Sequence, residues 1–354
     1  MASSLSTTGS PQLALFTCVM LLLSMSPSDK LCAGQVNGYD PTFDDTSNFP
    51  TWLHLARLCA ASYESPNDVR NGNCQVCTRY LTRFTPSAIV ENGNFQTSAL
   101  IGFDRTLEES GTIVVAFRGT NNLQNWIQNI DFRRVVPDIF LGRSRVSPIS
   151  RGDIGLVHMG FLDAYMSLRA GVLAAVTQLR GQYPQAPINI TGHSLGGAIA
   201  ALCALDLEIE SQDDFPVRIT MTDFGAPRVG SEDWVEVYSS RVGRSLRVVH
   251  RVDLVPKLPL AIMGFKHDPR YYLDPRDSLN PLTSHVVYLG IRISNGGTPV
   301  ERRRSPSQRR SVEKSGKTTP VDTTKPSNDD SISHKVAAVQ AEETVVYKFG
   351  KSTA

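Results

Sequence analysis

The stretch Pro187-Ile188-Asn189-Ile190-Thr191-Gly192-His193-Ser194-Leu195-Gly196-Gly197-Ala198 decides the fold. The β-branched run before Gly192 is typical of a buried strand, and Ala198–Leu202 is a strong helix-forming sequence. Strand, tight turn and helix are the context of a nucleophile elbow, with Ser194 at its tip. Glycine at 192 and 196 removes the Cβ atoms that would collide as strand and helix close on each other. The helix N-terminus would bring free N–H groups to an oxyanion beside Ser194, so the stretch predicts an activated serine.

The composition indicates a soluble globular protein. Of the 354 residues, 41% are hydrophobic and 20% are charged. The formal net charge of +2 is unevenly placed, since residues 291–354 hold 12 basic and 7 acidic side chains and leave a mildly acidic body. A body of that charge argues against nucleic acid as the main partner. Nothing in the sequence indicates an obligatory protein partner.

Three of the six cysteines, Cys59, Cys74 and Cys77, lie close together near the start of the body. They are typical of a disulfide-stapled loop, which leaves one of the three unpaired, and the spacing does not distinguish which. Cys74-x-x-Cys77 is also a spacing of zinc and redox sites, but no second Cys or His pair follows at ligand spacing, so no metal site is expected. Cys203 is expected to be a small buried residue.

The first 33 residues have the character of a secretory signal peptide. Leu13–Met25 is apolar but too short for a comfortable membrane span, and small residues follow up to Ala33. No Lys or Arg precedes the apolar stretch, which departs from the usual pattern. A signal peptide over residues 1–33, and hence a secreted protein, is the leading interpretation. A signal anchor and a disordered apolar N-terminus are the alternatives.

The body extends over residues 35–293, and a basic tail rich in Ser, Thr and Pro follows it. Residues 294–354 are low in apolar side chains, which predicts disorder. We interpret this segment as a solubilising tail; the alternative is a basic arm that contacts an anionic membrane or polysaccharide. Within it, Val336–Phe349 is compatible with a short helix.

Strand and helix patterns alternate along the body. Besides the strand that enters the elbow, the predicted strands are Ser98–Phe103, Thr112–Phe117, Val217–Thr222, Leu246–His250 and His285–Ile293. The predicted helices are Thr51–Tyr63 and Phe161–Leu179, besides the one that leaves the elbow. The alternation predicts an α/β fold, with a mainly parallel central sheet and helices on both faces. Ligands bind at the carboxyl ends of such strands, and Thr120, Ser194 and Asp253 each follow a predicted strand.

A serine hydroxyl becomes a nucleophile when a histidine takes its proton and an acid orients that histidine. After an elbow the partners follow in the order acid, then histidine. Asp253 is the favoured acid, since a strand delivers it to the sheet edge and two prolines fix the loop beyond. Asp223 is interpreted as a structural group because it lies so close to the elbow in sequence. Asp268 and Asp274 lie in a polar loop and are expected to be solvated.

Three histidines follow Asp253 in the sequence. His285 precedes the last apolar run, where it can be held against the core. His267 lies among charged residues and is expected to form a surface salt bridge. His334 lies in the tail and is set aside. Position alone favours His285 as the base and does not exclude His267.

The oxyanion hole needs two N–H donors. One is expected from Leu195, the residue after the nucleophile. The other is expected from Thr120, in the loop after the strand Thr112–Phe117, where Gly119 allows a close approach.

An amphipathic segment follows this loop. Leu123, Trp126, Ile127 and Ile130 recur at helical spacing after Asn122. A short amphipathic helix beside an active site is either part of the core or a mobile lid whose apolar face opens onto a lipid surface. The predicted fold therefore includes a candidate lid helix over the active site.

Several motifs make the body resemble the fungal-type (class 3) lipases, an α/β-hydrolase family. The resemblance covers Trp52 to Gly290. Its motifs are Phe117-Arg118-Gly119-Thr120, Asn125-Trp126, His158-Met159-Gly160-Phe161, Gly192-His193-Ser194-Leu195-Gly196-Gly197-Ala198, Phe224-Gly225-Ala226-Pro227-Arg228-Val229-Gly230, Asp253-Leu254-Val255-Pro256 and Ser284-His285.

The resemblance implies a role for each candidate residue. Ser194 would be the nucleophile, Asp253 the triad acid and His285, rather than His267, the base. Thr120 and Leu195 would form the oxyanion hole, and residues 122–131 would contain the lid.

Together the residues and the resemblance predict a secreted serine ester hydrolase, foremost a triacylglycerol lipase that works through an acyl-enzyme intermediate. Its substrate would be a lipid or other ester at an oil–water or membrane interface, and the mechanism requires no cofactor. A feruloyl-type or other non-lipase esterase, a phospholipase or galactolipase, and an inactive lipid-binding homologue are the alternatives.

Overall fold

A computed structural model describes residues 46–123, 126, 131–143, 147–214, 217–275, 281–294, 298–299 and 344–349. The expected signal peptide and most of the expected tail lie outside the described residues. The helices are α1 (Phe49–Ala61), α2 (Pro66–Arg70), α3 (Gln75–Tyr80), α4 (Met159–Gln182), α5 (Leu195–Asp214), α6 (Glu232–Arg241) and α7 (Pro281–Val286). The strands are β1 (Phe84–Asn92), β2 (Thr97–Asp104), β3 (Thr112–Arg118), β4 (Arg134–Val135), β5 (Val157–His158), β6 (Ile188–His193), β7 (Ile219–Phe224), β8 (Ser245–Val249), β9 (Tyr271–Leu273), β10 (Val287–Tyr288), β11 (Ile291–Arg292), β12 (Thr298–Pro299) and β13 (Thr344–Lys348).

The central sheet has eight strands in the order β13-β1-β2-β3-β6-β7-β8-β9. The five strands from β3 to β9 pair in parallel, and β13, β1, β2 and β3 pair antiparallel. Ser194 follows β6, in the parallel half. The predicted α/β fold with a mainly parallel sheet is confirmed, with an antiparallel extension on one side.

Alternate side chains of β3 show how the sheet is covered on both faces. Ile113, Val115 and Phe117 lie in one core with residues of α4, α5 and α6. Val114 and Ala116 lie in a second core with residues of α1. Because successive side chains of a strand point to opposite faces, the two cores lie on opposite sides of the sheet. A buried strand packed on both faces reads as a continuous apolar run, which is how β3 appears in the sequence.

Helix α4 is, among the described residues, the helix that is long and apolar enough to cross a membrane by length and composition. Its 24 residues include Phe161, Leu168 and Val172, which are fully buried in the first core. Helix α4 therefore covers the sheet and has the burial of a core helix.

The last predicted strand, His285–Ile293, is wrong as a single strand. His285 lies in α7, and the hairpin of β10 and β11 follows it. Leu289 and Gly290, between these strands, have φ values of +53° and +82°. Positive φ at two central residues is typical of a tight hairpin turn, so the apolar run folds back on itself.

The prediction of disorder throughout 294–354, and of a short helix reaching Phe349, is wrong for residues 344–348. These residues form β13, which pairs antiparallel with β1 from Ala88 to Asn92. Thr344-Val345-Val346-Tyr347-Lys348 is β-branched and aromatic, and the edge of β1 supplies unpaired backbone groups. Pairing with that edge explains why an exposed strand forms in an otherwise polar segment.

The cysteine cluster forms a local disulfide. Cys74 and Cys77 are bonded across the start of α3, and Cys59 and Cys203 are buried free cysteines. The thiol of Cys59 lies 3.2 Å from the hydroxyl of Thr191 in β6. The sequence left open which of the three clustered cysteines is unpaired, and in the structure it is Cys59. Cys203 is fully buried, as expected.

Candidate active site

Ser194 lies at the turn between β6 and α5, and its φ of +58° is one that non-glycine residues rarely adopt. A Cβ on Gly192 would lie 2.2 Å from the carbonyl oxygen of Gly196, and a Cβ on Gly196 would lie 2.3 Å from that of Phe117. Because these clashes are with backbone atoms, both positions require glycine. The strained serine between two obligatory glycines has the backbone of a nucleophile elbow.

His285 and Asp253 form a buried pair. Nδ1 of His285 lies 2.9 Å from Oδ2 of Asp253, and the two residues are 2% and 0% exposed. The carboxylate accepts, so Nδ1 carries the proton and Nε2 is left as the basic nitrogen of the neutral ring. Helix α7 brings His285 to the loop after β8, where Asp253 lies. The structure therefore brings together the acid and the histidine that the sequence favoured.

The elbow and the candidate base lie close together in the fold. The ring centroid of His193, next to Ser194, lies 4.9 Å from that of His285. In the described part of the chain, neither Ser194 Oγ nor His285 Nε2 has a hydrogen-bond partner, although both are buried. Buried polar atoms are normally satisfied, and exceptions cluster where an atom is reserved for chemistry. Hydrogen bonds between a nucleophile and its base are often long without substrate and tighten in the reacting complex.

Asp253 is held by two further donors. The N–H of Val255 donates to Oδ1 over 2.9 Å, and the hydroxyl of Tyr288 donates to Oδ2. Burial, together with the charge of Asp253, raises the pKa of Tyr288 well above its ordinary value, so Tyr288 remains a donor. A Cβ on Gly225 would lie 2.5 Å from the Tyr288 hydroxyl, so that glycine leaves room for the contact. Tyr288 was missed by the sequence reasoning, because its contact with Asp253 is long-range and no local motif marks it.

Both predicted oxyanion donors belong to segments that adjoin Ser194. Leu195 begins α5, where N–H groups have no partner within the helix. Thr120 is half-buried in the loop after β3, and its hydroxyl accepts from the N–H of Asn122 over 3.1 Å. A Cβ on Gly119 would lie 3.0 Å from Ser194 Cβ, so this loop passes directly beside the nucleophile. The placement fits the two donors of an oxyanion hole.

The candidate lid segment, residues 122–131, is described only in part. Asn122 is exposed, and Leu123 and Trp126 are half-buried. The N–H of Trp126 donates to the carbonyl oxygen of Asn122, and its ring lies 6.1 Å from that of Phe161 in the first core. Ile127 and Ile130 lie outside the described residues. Trp126 packs partly on the core, so the lid remains a prediction.

The competing acids are buried, which corrects the expectation that Asp268 and Asp274 are solvated. Asp268 pairs with Arg270 over 2.6 Å, and Asp274 lies 3.0 Å from Nε2 of His250. Asp223 accepts from the N–H of Ala226, and burial raises its pKa to about 7. The sequence suggested solvation because the loop is polar, but Asp268 is paired with Arg270 within that loop, and Asp274 is paired with His250 and accepts from the N–H of Leu289.

His267 does not form the expected surface salt bridge. Its Nε2 donates to the carbonyl oxygen of Pro256 over 2.6 Å, and burial lowers its pKa well below the ordinary value. Among the described residues, no group of three or more His, Cys, Asp or Glu side chains is placed to hold a metal ion.

Comparisons with known proteins identify the family and the fold. Residues 114–263 match the family model described as lipase (class 3). A secreted mono- and diacylglycerol lipase of Fusarium solani is 32% identical over 267 residues, which cover 73% of this chain and 73% of that protein. A lipase of Rhizomucor miehei is 36% identical over 202 residues, which span 51% of this chain and 52% of that protein.

Solved structures show the same fold. The triacylglyceride lipase of Rhizomucor miehei matches with a TM-score of 0.58 at 28% identity, over 71% of this chain and 97% of that one. A triacylglycerol lipase whose catalytic centre is formed by a serine protease triad matches with a TM-score of 0.60 at 26% identity, over 71% and 97% of the two chains. The sheet and its covering helices therefore form an α/β-hydrolase fold.

Proposed function

The chain belongs to the class 3 lipase family, a family of serine ester hydrolases, and on that premise we propose that it is a secreted triacylglycerol lipase with Ser194, His285 and Asp253 as its catalytic triad. One observation carries the proposal. A buried histidine paired with a carboxylate lies against the elbow that carries a strained serine, and neither the serine oxygen nor Nε2 of that histidine has a hydrogen-bond partner among the described residues.

The proposed reaction has two steps, acylation and deacylation. His285 Nε2 takes the proton of Ser194 as Oγ attacks the ester carbonyl, and Asp253 stabilises the imidazolium. The imidazolium then gives that proton to the departing alcohol, which leaves an acyl-serine. Water attacks the acyl-serine with His285 again as base, and the fatty acid leaves as Ser194 regains its proton. Ser194, His285 and Asp253, with water as the second substrate, supply every proton transfer and bond change in the two steps.

Charge stabilisation is assigned to the backbone. The N–H groups of Thr120 and Leu195 would donate to the oxyanion of each tetrahedral intermediate, where a preorganised donor is worth about 10²- to 10³-fold in kcat. Leu195 is supported by its place at the start of α5, because a helix N-terminus favours negative charge. Thr120 is supported by the close approach of its loop to Ser194.

The substrate class is supported by the relatives. The solved relatives named above act on triacylglycerols by their descriptions. The Fusarium solani relative is described as a mono- and diacylglycerol lipase, which makes hydrolysis of partial glycerides the second candidate function. Secretion is supported by the description of that relative as secreted and by the apolar Leu13–Met25 stretch.

Replacement of the nucleophile tests the proposal. Ser194→Ala should lower ester hydrolysis by at least about 10⁴-fold, because the hydroxyl that forms the acyl-enzyme is lost. Turnover of tributyrin is the measurement, with circular dichroism to show that the variant is folded. Ser240→Ala, on the exposed face of α6, is the matched control and should retain wild-type turnover. Undiminished hydrolysis by folded Ser194→Ala would overturn the triad assignment.

A substrate panel separates the candidate functions. Initial rates on triolein, diolein, monoolein, a phosphatidylcholine and methyl ferulate should be highest on triolein for a triacylglycerol lipase. Higher rates on diolein and monoolein would support the second candidate. Turnover restricted to methyl ferulate or to the phospholipid would contradict both.

A further inference from the structure

Tyr63 joins two parts of the candidate active site that are far apart in the sequence. It follows α1, and its side chain reaches both the loop after β3 and the elbow. The N–H of Gly119 donates to the Tyr63 oxygen over 3.1 Å. The same oxygen lies 2.7 Å from Nδ1 of His193.

The carbonyl oxygen of His285, at the end of this series of hydrogen bonds, fixes which atom donates in each of them. Nε2 of His193 lies 2.8 Å from the carbonyl oxygen of His285. A carbonyl oxygen only accepts, so Nε2 of His193 must carry the proton. Burial, followed by the charge of His285, lowers the pKa of His193 to about 3, so the ring is neutral and Nδ1 is an acceptor. Tyr63 therefore donates to Nδ1 while it accepts from Gly119.

We propose that Tyr63 is a positioning residue that, through His193, fixes the oxyanion loop and the backbone of the base relative to each other. The inference rests on the proposed function, since it concerns the donor and the base of that reaction. The hydrogen bonds run from Gly119, one residue before Thr120, through Tyr63 and His193 to the backbone of His285. A Cβ on Gly119 would lie 2.6 Å from the Tyr63 hydroxyl, so this close contact also requires glycine.

The geometry gives His193 and Tyr63 a structural role beside the triad. His193 is 2% exposed, and both of its ring nitrogens are used. If Tyr63 lost its hydroxyl, Nδ1 would lose its donor and the N–H of Gly119 would lose its acceptor. The other neutral tautomer would then place the lone pair of Nε2 against the His285 carbonyl. Displacements of about 1 Å at an active site can cost 10²-fold in rate.

The test is Tyr63→Phe, which keeps the ring and removes the hydroxyl. With 4-nitrophenyl butyrate, kcat should fall about 10- to 100-fold while KM changes less than about twofold, because the defect lies in transition-state geometry. The rate at which a fluorophosphonate labels Ser194 should fall by a similar factor. Tyr238→Phe is the matched control, since it removes a buried hydroxyl bonded to Ser245 over 2.9 Å, and it should retain wild-type kcat.

A double-variant cycle tests whether Tyr63 acts through His193. His193→Gln keeps an N–H that can reach the His285 carbonyl but removes the Nδ1 acceptor. If the two residues act as one unit, kcat of Tyr63→Phe/His193→Gln will be close to that of the slower single variant. Multiplicative losses would overturn the coupling.

Other outcomes distinguish failure of this inference from failure of the proposed function. Wild-type kcat in Tyr63→Phe, a change confined to KM, or an equal loss in Tyr238→Phe would overturn the positioning role. Lack of Ser194-dependent hydrolysis in the wild-type protein would overturn the proposed function instead. In that case the labelling rate of Ser194 in wild type and Tyr63→Phe would still decide the role of Tyr63.

Discussion

His158, at the N-terminus of α4, is a buried histidine held without hydrogen bonds. Within the described part of the chain, neither ring nitrogen has a partner. The ring stacks on Phe161, with centroids 3.9 Å apart. Burial lowers its pKa to about 4, although the nearby Asp131 opposes the shift. A ring in these surroundings is stable only while it is neutral.

We predict that His158 makes the protein less stable in acid. Between its ordinary pKa of 6.5 and its folded value of about 4, the unfolded state binds a proton that the folded state does not. The free energy of unfolding therefore falls as the pH is lowered through this window. The part due to His158 between pH 8 and pH 5 is about 2 kcal/mol. Urea denaturation at the two pH values measures the total change.

The variant His158→Phe isolates this contribution. Phenylalanine keeps the stack on Phe161 and has no nitrogen to protonate, so its loss of stability between pH 8 and pH 5 should be about 2 kcal/mol smaller than that of the wild type. An equal loss in both proteins would show that His158 is not the group that titrates.

At the scale of elements, the strands that the sequence predicts well are those buried on both faces. β3 has the apolar run Ile113–Phe117, and β6 is fully buried and has β-branched residues before the glycine of the elbow. β1 was not predicted, and it contains Pro86, a residue that argues against a strand. The structure accommodates Pro86 with a register shift between Pro86 and Ala88 in the pairing with β2, and the pairing with β13 starts only at Ala88. This accommodation of Pro86 depends on how β1 pairs with its neighbouring strands, so no local sequence pattern indicates it.

The candidate lid segment makes its own prediction, because Ser194 and His285 are 1% and 2% exposed. A long acyl ester can reach them only if a covering segment moves. Of the three tryptophans, Trp52 and Trp234 are buried and Trp126 is half-buried. If residues 122–131 open onto lipid, Trp126 will enter an apolar environment, and its fluorescence emission should shift to the blue on addition of phosphatidylcholine vesicles.

Two variants test whether the fluorescence shift comes from Trp126. Trp126→Phe should lose the shift, and Trp234→Phe, which replaces a tryptophan in the core, should keep it. A shift that survives in Trp126→Phe, or no shift in the wild-type protein, would favour the interpretation of Trp126 as an ordinary core residue.

At the scale of the whole molecule, the sequence identified residues whose motifs are local and missed those whose contacts are long-range. The glycines on either side of Ser194 form a local motif, and Asp253 and His285 follow it in the order acid, then histidine, that this motif predicts. Tyr63 lies 130 residues from the histidine it contacts, and Tyr288 lies 35 residues from Asp253. Neither belongs to a spacing that local chemistry dictates, so the supporting hydrogen bonds emerge only when the chain is folded.

β13 joins the last described residues of the chain to β1, near the start of the described residues. It pairs with five residues of β1. The hydroxyl of Thr344 also donates to the carbonyl oxygen of Ser167 over 2.9 Å. The N–H of Phe349 donates to the carbonyl oxygen of Ser87 over 2.8 Å. Without β13, the outer edge of β1 would present unpaired backbone groups to a second molecule.

We predict that deletion of residues 344–354 lowers stability and promotes association without abolishing turnover. Loss of the short exposed strand should cost roughly 1 kcal/mol, or about 2–4 °C in melting temperature. The free β1 edge should raise the self-associated fraction in sedimentation velocity experiments. Turnover per folded monomer should be retained, because β2 and β3 separate β1 from β6 and the elbow.

A pair of proline variants distinguishes strand loss from mere shortening of the chain. Val346→Pro lies within β13 and should reproduce part of the loss in melting temperature, because proline fits a strand poorly. Ser352→Pro lies beyond β13 and should leave the melting temperature unchanged. If the truncated protein melts at the wild-type temperature and stays monomeric, the β13 pairing contributes nothing to the fold in solution. The disorder that polar composition predicts for the tail would then extend to residues 344–348.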